Sequence, residues 1–110
     1  MKLLKKICLS KLAKQGGRCF YCELPMWVQG NEDKEEASGN PWQLQCTAEH
    51  LTARCEGGLN SRNNIVAACR FCNSRRHRSK NPRSAELHRA FVKRRMAAGR
   101  WLTGLVDCSD

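Results

Sequence analysis

Four of the eight cysteines stand in two pairs, Cys19-Phe20-Tyr21-Cys22 and Cys69-Arg70-Phe71-Cys72. Two thiolates at this spacing reach one tetrahedral ion from a single turn, so the pairs together predict a closed four-sulfur zinc site. Four thiolates leave no position for substrate or water, and such an ion holds structure instead of doing chemistry. A redox reading needs two unrelated motifs where zinc needs one explanation. The 46 residues between the pairs exceed the gap of a simple zinc ribbon, so they form a structural unit whose ends return to one point. The other four cysteines show no ligand spacing. Cys8 and Cys46 fit buried apolar positions, whereas Cys55 lies in a loop beside His50 and Cys108 near a tail.

Within that unit a second set of residues follows in order: Glu49-His50, then Gly57-Gly58, then Asn64, then Asn73 directly after the second cysteine pair. Glu49-His50 alone would be a surface dipeptide; the zinc knuckles and asparagines around it give it meaning. From Cys19 to about His77 the chain resembles the HNH endonuclease family, in its zinc-stapled variety. The pattern there is Cys-x-x-Cys, acidic-His, Gly-Gly, Asn, Cys-x-x-Cys-Asn/His.

The resemblance implies a ββα-metal fold in which His50 is the general base for the water that attacks a phosphodiester. It also implies Glu49 and Asn73 as oxygen ligands of a catalytic divalent ion, and Asn64 as the residue that holds the His50 loop by hydrogen bonding. Hard cations such as Mg²⁺ or Mn²⁺ take oxygen ligands, and imidazole as a class accepts protons near neutral pH. Three positions depart from the pattern. Ala53 stands where a proline is common, Glu49 is one methylene longer than the commoner Asp, and Asn73 stands where a His is frequent. His77, one turn beyond Asn73, reads as a surface histidine of a basic helix, and His88 as structural or phosphate-facing.

The elements that must position these groups can be placed from periodicity. Leu3, Leu4, Ile7, Cys8 and Leu12 predict an amphipathic helix over residues 2–14, stopped by Gly16-Gly17. A polar, acidic loop fills 23–40, with Glu32, Asp33, Glu35 and Glu36 in it. Strands are predicted over 42–50 and 64–68, and a short helix from Asn73 to about Ser79 that Pro82 forbids to continue. A last helix starts at a Ser84 cap and stops at Gly99. Trp27, Trp42 and Trp101 read as core residues before base-stacking platforms. The predicted fold class is α+β: a small zinc-stapled ββα-metal core, about 19–80, with flanking N- and C-terminal helices. The latter is a basic helix over about 84–98, and the whole chain reads as a single domain.

Charge names the partner. The 110 residues carry a formal +10, and eleven of the 20 basic residues lie between Arg70 and Arg100 with Glu86 as the one acidic residue among them. A surface of this sign attracts phosphate, so nucleic acid is the expected partner, DNA by the HNH resemblance, with Arg75, Arg76, Arg78, Lys93, Arg94 and Arg95 as its contacts. No apolar run is long enough for a membrane span, and no secretory leader is evident, so a reducing, cytoplasmic setting is expected. Monomer and homodimer stay equally open. The competing reading is a non-catalytic zinc-containing nucleic-acid-binding module, which would keep the thiolates and basic helix and need no base beside oxygen ligands.

Overall fold

The computed structural model describes residues 2–30 and 40–103; the acidic residues 32–36, together with Cys108, lie outside them. Three helices and one two-stranded antiparallel sheet are present among the described residues: α1 (Leu3–Lys14), β1 (Cys46–His50), β2 (Ile65–Cys69), α2 (Arg70–Arg76) and α3 (Ala85–Ala97). No helix among them is long and apolar enough to cross a membrane.

β2 is the centre of the molecule. Its sequence, Ile65-Val66-Ala67-Ala68-Cys69, is apolar without alternation because all five residues are buried, covered on both faces. β1 pairs with it in the register Cys46↔Cys69, Ala48↔Ala67, His50↔Ile65. Alternation along β1 turns Thr47 and Glu49 toward α2. It turns Cys46 toward α1, where its Sγ lies 3.7 Å from that of Cys8. The outer edge of β2 is closed by a side chain: the Gln15 amide donates to Ala67 O at 2.8 Å and accepts from Ala67 N at 3.0 Å. Gln15 thereby supplies the hydrogen bonds that a further strand would otherwise make.

The predicted boundaries differ from the observed ones in two places. Residues 42–44 form a 3-10 turn after Pro41, and the strand begins at Cys46. Trp42 and Leu44 mimic strand alternation, but only the isolated bridge Trp27↔Gln45 extends the pairing on that side. The short helix starts at Arg70, three residues before the predicted start, because Cys69 is itself the cap: its Sγ accepts from Cys72 N at 3.4 Å. The Ser84 cap is present, its hydroxyl accepting from Leu87 N at 3.2 Å.

Behind the cysteines sits an aromatic cluster. Phe71 and Phe91 meet Trp101 edge-on at centroid distances of 5.1 and 5.7 Å, and Tyr21 meets His88 at 4.7 Å. Trp42 is not a core residue, being 51 % exposed.

Candidate active site

The two cysteine pairs converge. Cys19, Cys22, Cys69 and Cys72 are buried, and their four Sγ atoms lie within 4.8 Å of one another. A tetrahedral zinc with bonds of about 2.3 Å separates its sulfurs by about 3.8 Å, and Cys22 Sγ lies 3.9 Å from Cys69 Sγ. Backbone N–H groups of Tyr21 and Cys69 donate to Cys19 Sγ at 3.3 and 3.2 Å, and the Trp101 indole donates to Cys72 Sγ at 3.2 Å. As thiols the four share protons unevenly: hydrogen bonds from Cys22, Cys69 and Cys72 hold Cys19 well below the ordinary thiol range. Donor set, burial and N–H···S bonds all suit a structural zinc.

α3 is tied to this cluster by His88, fully buried, whose Nε2 lies 3.1 Å from the Cys72 carbonyl oxygen. A carbonyl only accepts, so Nε2 carries the proton. Burial pushes this imidazole below its ordinary value, and a neutral ring in the core holds α3 in place.

At the far end of β1 the chain turns into the loop that carries His50, and Asn64 spans it. Its side chain accepts from Thr52 N at 2.8 Å and donates to the carbonyls of Thr52 at 3.1 Å and Leu59 at 2.9 Å. Gly57 closes the 3-10 turn Arg54–Glu56 at φ +91°, a value that favours glycine. Gly58 is required for a different reason, since a Cβ there would overlap the Thr52 carbonyl oxygen. Ala53 adopts φ −61°, the angle proline would impose, so the missing proline leaves the turn geometry intact.

His50 is half-buried, and its Nε2 lies 2.7 Å from Asn60 Oδ1. With the amide oxygen as acceptor, Nε2 carries the proton and Nδ1 keeps a lone pair. Asn73 donates its amide to Thr47 Oγ1 at 3.1 Å and to Ala48 O at 3.3 Å, so the amide oxygen is the atom with which it could hold an ion.

Glu49 is 1 % exposed. Its Oε2 accepts from the Tyr21 hydroxyl at 2.9 Å and from Arg76 at 3.2 Å, and its Oε1 lies 2.9 Å from His77 Nε2. Burial first, and the neighbouring Glu49 charge second, push the Tyr21 phenol well above its ordinary value, so it stays a donor. His77 therefore does not stand apart as a surface histidine: it shares Glu49 with Arg76, its ring one-third exposed.

Arg76 corrects the expected phosphate contacts. It is 5 % exposed, and besides Glu49 and Tyr21 it donates to the carbonyls of His50 at 3.0 Å, Leu51 at 2.9 Å and Arg83 at 2.9 Å. Its planar fork is consumed inside the protein, where it ties α2 to the His50 loop.

The remaining expected contacts, Arg75, Arg78, Lys93 and Arg94, are exposed, and Arg95 is half-buried. Several arginines lie over aromatic rings: Arg75 over Phe71 at 4.8 Å, Arg83 over Phe91 at 3.9 Å, Arg95 over Phe91 at 5.9 Å and Arg89 over Phe20 at 4.5 Å. Each ring limits the freedom of a guanidinium without neutralising it.

Asn60, Tyr21 and the internal role of Arg76 were not singled out from sequence. Only His77 carried a signal, its spacing of four from Asn73 placing both on one helical face.

Residues 27–79 match the family model described as HNH endonuclease. This stretch of the chain is similar to HNH endonuclease domains. The HNH match takes in Glu49, His50, Asn64, Asn73 and the second cysteine pair, and leaves Cys19, Cys22 and α3 outside it. No curated protein and no solved structure matches the chain. HNH domains are in general nuclease domains that bind nucleic acid, which agrees with the sign of the surface around α2 and α3.

Proposed function

We propose that this protein is an endonuclease that hydrolyses DNA phosphodiester bonds with the help of a divalent cation, Mg²⁺ or Mn²⁺. The observation that carries the reading is the His50 imidazole, fixed through Nε2 by Asn60 and keeping Nδ1 for a proton, on the residue next to Glu49. His50 takes the proton of the attacking water. Asn64 holds the loop so that the ring does not swing, and Arg76 ties the His50 and Leu51 carbonyls to α2. Glu49 Oε1 and the Asn73 amide oxygen would hold the cation, with His77 as a third donor on the same side; carboxylate, amide and imidazole suit a hard or borderline divalent ion. Such an ion supplies Lewis-acid stabilisation of charge on the phosphate. The exposed arginines of α2 and α3 position the backbone, and a single site acting on one strand gives nicks first.

A supercoiled-plasmid assay of zinc-loaded protein tests this. Nicking is expected with Mg²⁺ or Mn²⁺, and His50→Ala should lower it by roughly 10²- to 10⁴-fold while zinc content and circular dichroism stay unchanged. A folded, DNA-binding wild type that cuts nothing, whichever divalent ion is added, overturns the reading. The alternative, a non-catalytic nucleic-acid-binding module, is favoured by one observation: both Glu49 oxygens already have protein partners.

Phosphate contacts also make a quantitative claim about salt. Each phosphate neutralised releases counterions and steepens log K against log salt by about 0.9. Arg94 is exposed, and Arg95 stacks part of its guanidinium on Phe91. Replacing both by Gln is expected to reduce the slope by roughly 1 to 2. An unchanged slope in a filter-binding titration would remove α3 from the interface.

A further inference from the structure

Around α2 from the His50 side lies a groove of about 470 Å³ lined by Trp42, Arg70, Phe71, Ser74, Arg75 and Arg78. Arg70 and Ser74, one turn apart on α2, and Arg78 just past its end line this groove, while Asn73, Arg76 and His77 face the other way, toward β1. The three tryptophans are used differently. Trp27 and Trp101 are partly buried, and their indole N–H groups are engaged by Pro41 O at 2.7 Å and Cys72 Sγ at 3.2 Å. Trp42 is half out in solvent on the rim of the groove, with the Arg70 guanidinium 5.6 Å from its ring centroid. Across from it, Arg75 rests on Phe71 at 4.8 Å.

An exposed indole beside three exposed arginines, with no acidic residue among the described residues that line the groove, combines the two elements of a single-strand site: a ring on which a base stacks and cations that follow its phosphates. Bases inside a duplex are stacked on both sides and are not available to such a ring. We propose that this groove binds single-stranded DNA, with a base stacked on Trp42 and the adjoining phosphates on Arg70, Arg75 and Arg78. The proposal rests on the reading of the protein as a DNA nuclease and narrows its substrate to DNA carrying unpaired bases near the cut. The helix between groove and His50 is about 10 Å across with its side chains, so one strand can reach both.

Oligo(dT) binding followed by tryptophan fluorescence, with zinc-loaded protein and no other divalent ion added, decides it. Wild type should be quenched on binding. Trp42→Ala should weaken oligo(dT) binding about 5- to 30-fold, the effect of one lost base stack, and leave duplex binding within about twofold. Trp42→Phe should keep most of the affinity and lose the quenching, and this variant carries the test if Trp42→Ala does not fold. Equal losses for single strand and duplex, or no loss and undiminished quenching in Trp42→Phe, overturn the proposal. Binding is read without cleavage, so the two readings fail separately. A wild type that cuts plasmid but ignores Trp42→Ala sinks the groove alone. One that stacks oligo(dT) on Trp42 and cuts nothing sinks the nuclease alone.

Discussion

Removing zinc with a strong chelator is expected to abolish the cooperative thermal transition of this protein, not merely to lower its midpoint. The four cysteines come from two segments 46 residues apart in the chain, and β1, the loop after His50 and β2 lie between them. Structural zinc sites contribute apparent binding energies of about 10–16 kcal/mol, as large as the entire net stability of an ordinary domain at about 5–15 kcal/mol. Cys72→Ser should have the same outcome, because it removes one of the four sulfurs, the one that also accepts from the Trp101 indole. Circular dichroism melts with parallel metal analysis check this. One zinc per chain is expected, lost on chelation together with the transition and regained with added Zn²⁺. A chelated, metal-free protein that still melts cooperatively near the original temperature would show that the aromatic cluster suffices without the ion.

Arg76→Ala is the second large effect. The substitution leaves the Glu49 carboxylate buried without its cation and takes the donor away from the carbonyls of His50, Leu51 and Arg83. Breaking a buried ion pair from one side costs about 3–5 kcal/mol, a large share of the total. Arg76→Lys should recover only part, because one ammonium cannot reach acceptors on three sides as the guanidinium fork does. The double variant Arg76→Met with Glu49→Gln should be more stable than Arg76→Ala alone, since no charge is then left unpaired. Urea melts of the four proteins measure this. A loss below about 1 kcal/mol for Arg76→Ala would mean that water replaces the guanidinium and that the pair is not internal in solution. Where enough Arg76→Lys stays folded, its salt slope on DNA should match wild type, in contrast to the pair Arg94 and Arg95.

What could be read from the sequence divides along a physical line. The cysteine pairs, the ends of α1 and α3 and the strand that ends at Glu49-His50 were legible, because ligand spacing, capping and runs of apolar residues are local signals. The extra turn at the start of α2 was hidden because Cys69 serves at once as thiol ligand and cap. Arg76 was misread as a phosphate contact because charge along a chain shows its sign and not its counter-charge, and Glu49 is 27 positions away. Asn60 could be placed in a loop but not against His50, for a short polar side chain has no partner until the loop closes. The Cys8 and Cys46 thiols are adjacent only because α1 lies across β1, a packing that no spacing announces.

The Gln15 amide laid against Ala67 has a consequence for how copies of this protein can meet. A two-stranded sheet ordinarily offers bare edges to any extended chain nearby, and such edges recruit further strands until material is lost as fibrils or precipitate. Here a glutamine occupies the docking line of the most apolar strand, and Phe20 N donates to the same Ala67 carbonyl at 2.9 Å. If two copies associate to cut both strands of a duplex, strand pairing at the middle of β2 is not the route, because the amide and carbonyl of Ala67 are already engaged.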